Sequence, residues 1–536
     1  MASSKPQDRI VVVGAGMGGL AAALRLATAG RQVLVVEASD APGGKLREVS
    51  AGGRRFDTGP TVLTMKWVFD DLLAGCGSSL DNELALEKAD VLARHYWSGG
   101  GSLDLYADPA RTFEAVEAFA GRREADGYRR FATDSSRVHA LLKDTFIDAT
   151  RPNPVSLSRR IGLSKAGALF ALRPFSTLWA ALDDYFTDER LKQLFARYAT
   201  YCGSSPYLAP ATLMLIAHVE REGVWIAKHG MHVLAQRFAA LAVGLGADFR
   251  NGTPVDAILA DASGRRVTGV RLADGEVVPA SQVIFNGDVA ALSGLLASGK
   301  SRRQRAAPGS RSQSALVVCG LARTEGVPLA HHTVFFSDDY ESEFKAVFEH
   351  RTPPADPTVY VCAQDRDSAG ALPAGVPVGA AERIYCLMNL PADGDRRTYT
   401  KSELEKCLAA MDRRLSANGL TLGRDGGAQV LTAPDTFHRL YPATGGALYG
   451  EVTHGWMASF RRPAARGPLK GLYLAGGSVH PGAGLPMAAL SGKIAADCLM
   501  ADLGLGGPNS IGRFRPVAIA GGMWMRPATA ASSRSP

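Results

Sequence analysis

The sequence predicts an α/β fold: a dinucleotide-binding parallel sheet, a second α+β unit and a mostly helical part. Three observations predict it. Residues 9 to 50 read as strand, glycine turn, helix and strand; residues 471 to 499 read as a second strand–glycine–helix edge; and short strands recur between residues 315 and 388.

The first unit is the most specific. Ile10 to Val13 is a short apolar run ending in glycines. Leu20 to Ala29 is an alanine- and leucine-rich helix stopped by Gly30, and Val33 to Val36 is a second buried strand. Gly14 permits the tight turn, Gly16 lets the backbone approach a pyrophosphate, and Gly19 lets helix and strand pack closely. The free N–H groups and positive potential of the helix N-terminus favour phosphates. Glu37 ends the second strand, 23 residues after Gly14. Its carboxylate can accept from ribose hydroxyls and would repel a 2′-phosphate, which argues against NADP. The unit is Rossmann-like.

The next segments favour FAD over NAD. Ala41-Pro42-Gly43-Gly44-Lys45 offers paired glycines for contact with a long cofactor, and Lys45 can neutralise phosphate. Phe56 to Val62, which includes Thr61, suits either the isoalloxazine end or an ordinary turn. Near the other terminus, Gly471 to Ala475 is a strand ended by Gly476-Gly477. His480 to Met487 then leads into a helix from about Ala488 to Leu499. This edge can aim amides at the pyrimidine carbonyls of a flavin. It lacks the phosphate fingerprint, so it completes a site and does not make a second one.

The remaining elements are read from alternation and punctuation. Val91 to Trp97 and Ser102 to Tyr106 flank a glycine turn, residues 110 to 222 are mostly helical in pattern, and residues 248 to 285 are strand-rich, with a hairpin at Asp274-Gly275. Strands at about 315 to 323, 333 to 336, 358 to 363 and 383 to 388 suggest an antiparallel sheet. A helix from about 401 to 417 starts at a Thr400/Glu403 capping box. Residues 298 to 313 read as a polar linker. The resulting division is a discontinuous FAD-binding domain (1–96, 226–300, 466–506), a helical lid or membrane-facing part (97–225), a substrate domain (301–465) and a tail (507–536).

Composition excludes several classes. The chain has 536 residues, 46% hydrophobic and 21% charged, with a net charge of +8. That is a globular composition, and no basic run with interleaved aromatics points to nucleic acid. The seven cysteines are scattered without a CxxC, which fits a reducing compartment and no disulfide framework. The one adjacent histidine pair, His331-His332, has no carboxylate at ligand spacing, so no metal site is expected. Cleavage of residues 10 to 30 as a signal peptide would destroy the glycine turn, and no apolar run reaches about 18 residues.

With these motifs in place, the chain resembles the carotenoid desaturase branch of the flavin amine oxidase-like superfamily. GAGMGGLAAALRLATAG, VVEA, APGGK, FDTGPTVLT and LYLAGGSVHPGAGLPMAALSGK carry the resemblance, over roughly residues 9 to 500. Val68-Phe69-Asp70, Ala93 to Trp97 and Leu103 to Pro109 resemble the bacterial 1-hydroxycarotenoid 3,4-desaturases in particular. The resemblance implies flavin contacts at Glu37, Lys45, Thr61, Val62, Val255, Asn286, Leu474, Gly484 and Met487. One position departs from the pattern: many relatives carry an acid where this chain has Gly477, which puts the usual ribityl contact in doubt.

The implied reaction is FAD-dependent desaturation of an acyclic polyene, with hydride loss to flavin N5 and then proton loss from the adjacent carbon. His95, His229 and Tyr441 are proton acceptors by type, and none is assigned a catalytic role. The implied electron acceptor is oxygen or a quinone. A lipophilic carotenoid implies peripheral membrane contact on the cytoplasmic side, for which residues 155 to 186 offer a mixed apolar and basic segment. The alternatives are phytoene desaturation, carotenoid isomerisation, an amine or porphyrinogen oxidase, and a non-catalytic prenyl-binding escort of the same fold. Oligomeric state is not read from the sequence.

Overall fold

The structure is a computed structural model that describes residues 9–150, 153, 173, 175–296, 310–377, 379–424 and 427–505. Most of the expected linker at 298 to 313, the tail and much of the segment at 155 to 186 lie outside the described residues.

Five short strands form a parallel sheet in the order Leu472–Leu474, Gln282–Phe285, Ile10–Val13, Val33–Val36, Asp248–Arg250. Ile10–Val13 and Val33–Val36 are buried throughout, which explains their unbroken apolar sequence. The helix Met17–Thr28 covers one face and packs against the helix Leu485–Asp502. The two approach closely because both are small at the crossing: a Cβ on Gly492 would lie 1.9 Å from the Gly18 carbonyl oxygen. The C-terminal helix starts at Leu485, three residues before the expected Ala488. A three-stranded antiparallel sheet, Val255–Ala260, Val267–Leu272 and Val277–Pro279, contains the expected Asp274-Gly275 hairpin.

The second sheet is larger. Its order is Leu420–Gly423, Ser314–Gly326, Glu382–Leu390, Val359–Ala363, His332–Phe335, Val91–Tyr96, Ser102–Tyr106, with Gln429–Thr432 also on Ser314–Gly326. The helix Lys401–Ala417 carries the expected Thr400/Glu403 capping box. The domain boundary expected at residue 96 is corrected here. Val91–Tyr96 pairs in parallel with His332–Phe335, and Ser102–Tyr106 pairs with Val91–Tyr96, so the boundary cuts through one sheet. Strand alternation identifies a strand but not a partner more than 200 residues away in sequence.

Candidate flavin and substrate site

The parallel sheet assembles the site by register. Val13 aligns with Val36 and with Phe285, and Phe285 aligns with Leu474. The next residues, Gly14, Glu37, Asn286 and Ala475, therefore leave the sheet along one edge. Carboxyl ends of parallel strands are where such folds bind dinucleotides.

At that edge Glu37 is buried. Its Oε2 accepts from the Ala15 N–H at 2.6 Å and its Oε1 from the Ser39 N–H at 2.8 Å. Each oxygen keeps a lone pair for a ribose hydroxyl. The Thr253 N–H donates to the Glu37 carbonyl at 2.8 Å, which brings the strand starting at Val255 alongside. Asn286 Nδ2 donates to the carbonyls of Gly14 at 3.1 Å and Gly16 at 3.3 Å, and so pins the glycine turn. Gly19 has to be glycine because a Cβ there would sit 2.0 Å from the Gly14 oxygen. Gly43 and Gly44 cross this turn: the Gly43 N–H donates to Ala15 O at 2.9 Å, and a Cβ on Gly44 would be 3.1 Å from Gly16 Cα.

Two helices begin here without side-chain caps. Gly16 caps Met17–Thr28 and Gly484 caps Leu485–Asp502, so first-turn N–H groups are free to meet an anion. Lys45 is half-buried on the wall of the adjoining cavity. Its ammonium donates to the Leu448 carbonyl and lies 5.3 Å from the centre of the Tyr441 ring. Among the described residues it makes no carboxylate ion pair. Burial lowers its pKa, and Asp288 opposes that shift.

Arg462, which sequence reading missed, is a second cation of this kind. Its Nη1 donates to Gly477 O at 3.0 Å and Tyr449 O at 3.3 Å, its Nη2 to Glu451 O at 3.2 Å, and burial lowers its pKa. No motif flanks it, so only the fold reveals it. Gly477 itself has no atom within 4 Å of a built Cβ, so an acid there is not sterically excluded. Leu474 is buried, and its N–H donates to Ala465 O at 2.7 Å.

The cleft opens into a cavity of about 660 Å³. Lys45, Thr61, Val62, Gly484 and Met487 line it, and Phe146, Ile216, Val219, Val334, Leu387 and Phe460 contribute apolar wall. Thr61 Oγ1 and Tyr360 Oη lie 2.6 Å apart, and Tyr360 Oη is 2.7 Å from His332 Nδ1. Phe175, 83% exposed, and Trp456, 45% exposed, meet edge to face on the same lining, so the cavity reaches the surface through aromatic rings. In the Phe56 to Val62 segment, Asp57 braces the fold: it accepts from the N–H groups of Met231 at 2.8 Å and His232 at 3.1 Å, at the start of the helix His232–Gly244.

The three proton acceptors by type separate. His95 is wholly buried away from the cavity lining, with its pKa well below the ordinary histidine value through burial. His229 is exposed. Tyr441 alone lines the cavity; its hydroxyl donates to Gly44 O at 3.0 Å, and burial pushes its pKa up to about 12. His331, His332 and Cys362 bring three potential ligand atoms within 4.8 Å of one another, a grouping the sequence did not suggest. Burial, and then His331 and Arg197, hold the His332 imidazole well below the ordinary histidine value, and burial lowers His331 as well.

The donors, the two cations that make no carboxylate ion pair among the described residues and the long apolar extension fit FAD, and the fold and site define an FAD-dependent oxidoreductase. The comparisons agree. Residues 17–500 match the family model for flavin containing amine oxidoreductases. The chain is 47% identical over 532 residues to a hydroxyneurosporene desaturase of Rubrivivax gelatinosus, covering 99% of each chain. It is 46% identical to the hydroxyneurosporene desaturase of Cereibacter sphaeroides, over 92% of this chain and 98% of that one. Among solved structures it is similar to cyclohexylamine oxidase from Brevibacterium oxydans, with a TM-score of 0.53 and 17% identity over 93% of this chain and all of that chain; this likeness concerns the fold alone. The chain belongs to the flavin containing amine oxidoreductase family, in its carotenoid desaturase branch.

Proposed function

We propose that the chain desaturates an acyclic 1-hydroxycarotenoid in carotenoid biosynthesis, introducing the 3,4 double bond. The observation that carries this reading is the apolar cavity whose lining includes Thr61, Gly484 and the exposed Phe175 and Trp456. A long polyene matches an apolar wall, and the similarity to hydroxyneurosporene desaturases supports the substrate class.

FAD, when bound, supplies the hydride acceptor. Glu37, Asn286, Gly14, Gly16, Gly19, Gly44 and Val255 would hold its nucleotide half. Lys45, Thr61, Val62, Leu474, Gly477, Gly484 and Met487 would hold its ring and ribityl half. Lys45, Arg462 and the uncapped amides after Gly484 would favour a cofactor end that carries negative charge. The apolar wall would exclude water and so protect the reacting polyene from hydration. The electron acceptor is oxygen or a quinone.

The exposed aromatic rim supports peripheral contact with the cytoplasmic face of a membrane, from which the polyene enters. Among the described residues no helix is long and apolar enough to cross a membrane. The test is product analysis: FAD-loaded protein with 1-hydroxyneurosporene in liposomes should yield a polyene lighter by two hydrogens with a longer chromophore. A product of unchanged mass means isomerisation and contradicts the reading.

A further inference from the structure

Among the described residues two groupings bring three metal-ligating atoms within 4.8 Å of one another, and they differ in chemistry. His331, His332 and Cys362 are all buried and include no carboxylate, and burial pushes the Cys362 thiol up to about 12. A cation there would have to displace the proton of that thiol inside a dry core. His139, His218 and Glu222 offer instead two imidazoles and a carboxylate, and the three pass from buried through half-buried to exposed. Ligands of this kind suit zinc and its neighbours.

Two helices supply them. His139 lies in the last turn of Arg122–Leu142, and His218 and Glu222 stand one turn apart on Leu215–Glu222. His139 is 4% exposed, and its Nε2 has no hydrogen-bond partner among the described residues. Its ring centre is 4.6 Å from that of His218. His218 Nε2 lies 3.3 Å from Glu222 Oε1. The other His218 nitrogen, Nδ1, is 3.0 Å from Ser136 Oγ, which donates to Ala132 O at 3.1 Å. Ser136 can therefore accept from the Nδ1–H, which turns the Nε2 lone pair toward Glu222, as in a metal-bound histidine. Arg221 and Lys143 oppose a cation at these rings, and Glu222 and Asp144 favour it. Net charge therefore gives no pull on Mg²⁺ or Ca²⁺, and ligation by imidazole decides.

We propose that His139, His218 and Glu222 bind one divalent cation of the zinc type, with water completing its shell on the exposed Glu222 side. The ion clasps two helices of the cavity wall: Leu142, three residues after His139, and Ile216 and Val219, on either side of His218, line the cavity.

The experiment uses FAD-loaded full-length protein without a histidine tag, stripped with a chelator and titrated with Co²⁺ and then Zn²⁺. The difference spectrum should show about one Co²⁺ per chain, with visible d–d bands and no thiolate charge-transfer band. Zn²⁺ should displace the Co²⁺, Mg²⁺ should not, and Zn²⁺ should raise the melting temperature. Glu222→Ala and His218→Ala should each weaken Co²⁺ binding by about tenfold or more and lose the rise in melting temperature, with flavin content unchanged. Should His218→Ala fail to fold, Glu222→Ala decides, because that side chain is exposed. A wild type that takes up no Co²⁺, or whose melting temperature Zn²⁺ leaves unchanged, overturns the proposal. So do variants that bind as tightly as wild type, and so does a thiolate charge-transfer band, which would place the ion at a cysteine.

Discussion

Glu37 and Ala15 are joined by a 2.6 Å hydrogen bond from the Ala15 N–H to Oε2, so the acid at the end of the second strand holds the glycine turn in place. Glu37→Gln replaces one acceptor oxygen with an NH₂ that faces a backbone N–H of Ala15 or Ser39. A mismatch of this kind costs about 1–3 kcal/mol. FAD titration should show a dissociation constant raised roughly tenfold or more, in keeping with that cost. An unchanged constant contradicts the assignment.

Gly19→Ala places a Cβ 2.0 Å from the Gly14 carbonyl oxygen and 2.9 Å from Asn286 Nδ2. The turn must move, and overpacking of this kind costs about 1–3 kcal/mol. The variant should purify with less flavin and melt at a lower temperature. Flavin content equal to wild type would show that the turn tolerates the methyl group.

Gly477→Asp tests the departure from the superfamily pattern. Nothing lies within 4 Å of the added Cβ, and the backbone there is outside the left-handed region. Arg462 already donates to the Gly477 carbonyl and would attract the new carboxylate. The variant should fold normally and bind FAD about threefold to tenfold more tightly, the effect of one added hydrogen bond. Weaker binding would mean that the ribityl chain does not pass this residue.

Burial without a cationic partner pushes the Glu343 carboxyl up to about 7, from an ordinary 4.5. Between those values the folded chain binds more protons than the unfolded chain, so the residue costs stability as pH rises, and the cost is complete above about pH 7. Glu343→Gln removes it. The stability of the variant relative to wild type should grow by roughly 2 kcal/mol between pH 5 and pH 8. Groups common to both proteins, His454 among them, cancel in the difference. A difference that does not change with pH would mean that the carboxyl titrates in its ordinary range.

Phe175 and Trp456 should touch lipid. Replacing both with serine should weaken partitioning onto anionic vesicles by about tenfold or more in sedimentation. Binding equal to wild type would move the membrane contact elsewhere.

The dinucleotide half of the site was legible because its chemistry is local. Gly14, Gly16, Gly19 and Glu37 lie within one βαβ unit, where spacing reports geometry directly. Asn286 was legible only through resemblance, since its action on Gly14 and Gly16 depends on the pairing of Gln282–Phe285 with Ile10–Val13. Arg462 and the grouping of His139 with His218 and Glu222 carry no motif. They are assembled by contacts between distant segments, and sequence periodicity is blind to these. The same blindness misplaced the boundary at residue 96, where a hairpin correctly read as a hairpin joins a sheet built mostly from residues 314 to 432.

The most direct test is an anaerobic single turnover. FAD-loaded protein is mixed with 1-hydroxyneurosporene in liposomes, and the flavin and polyene spectra are followed together. The flavin band should bleach at the same rate as the polyene absorption moves to longer wavelength. A flavin that stays oxidised beside an unchanged polyene would contradict the assignment of this cavity to a hydroxycarotenoid.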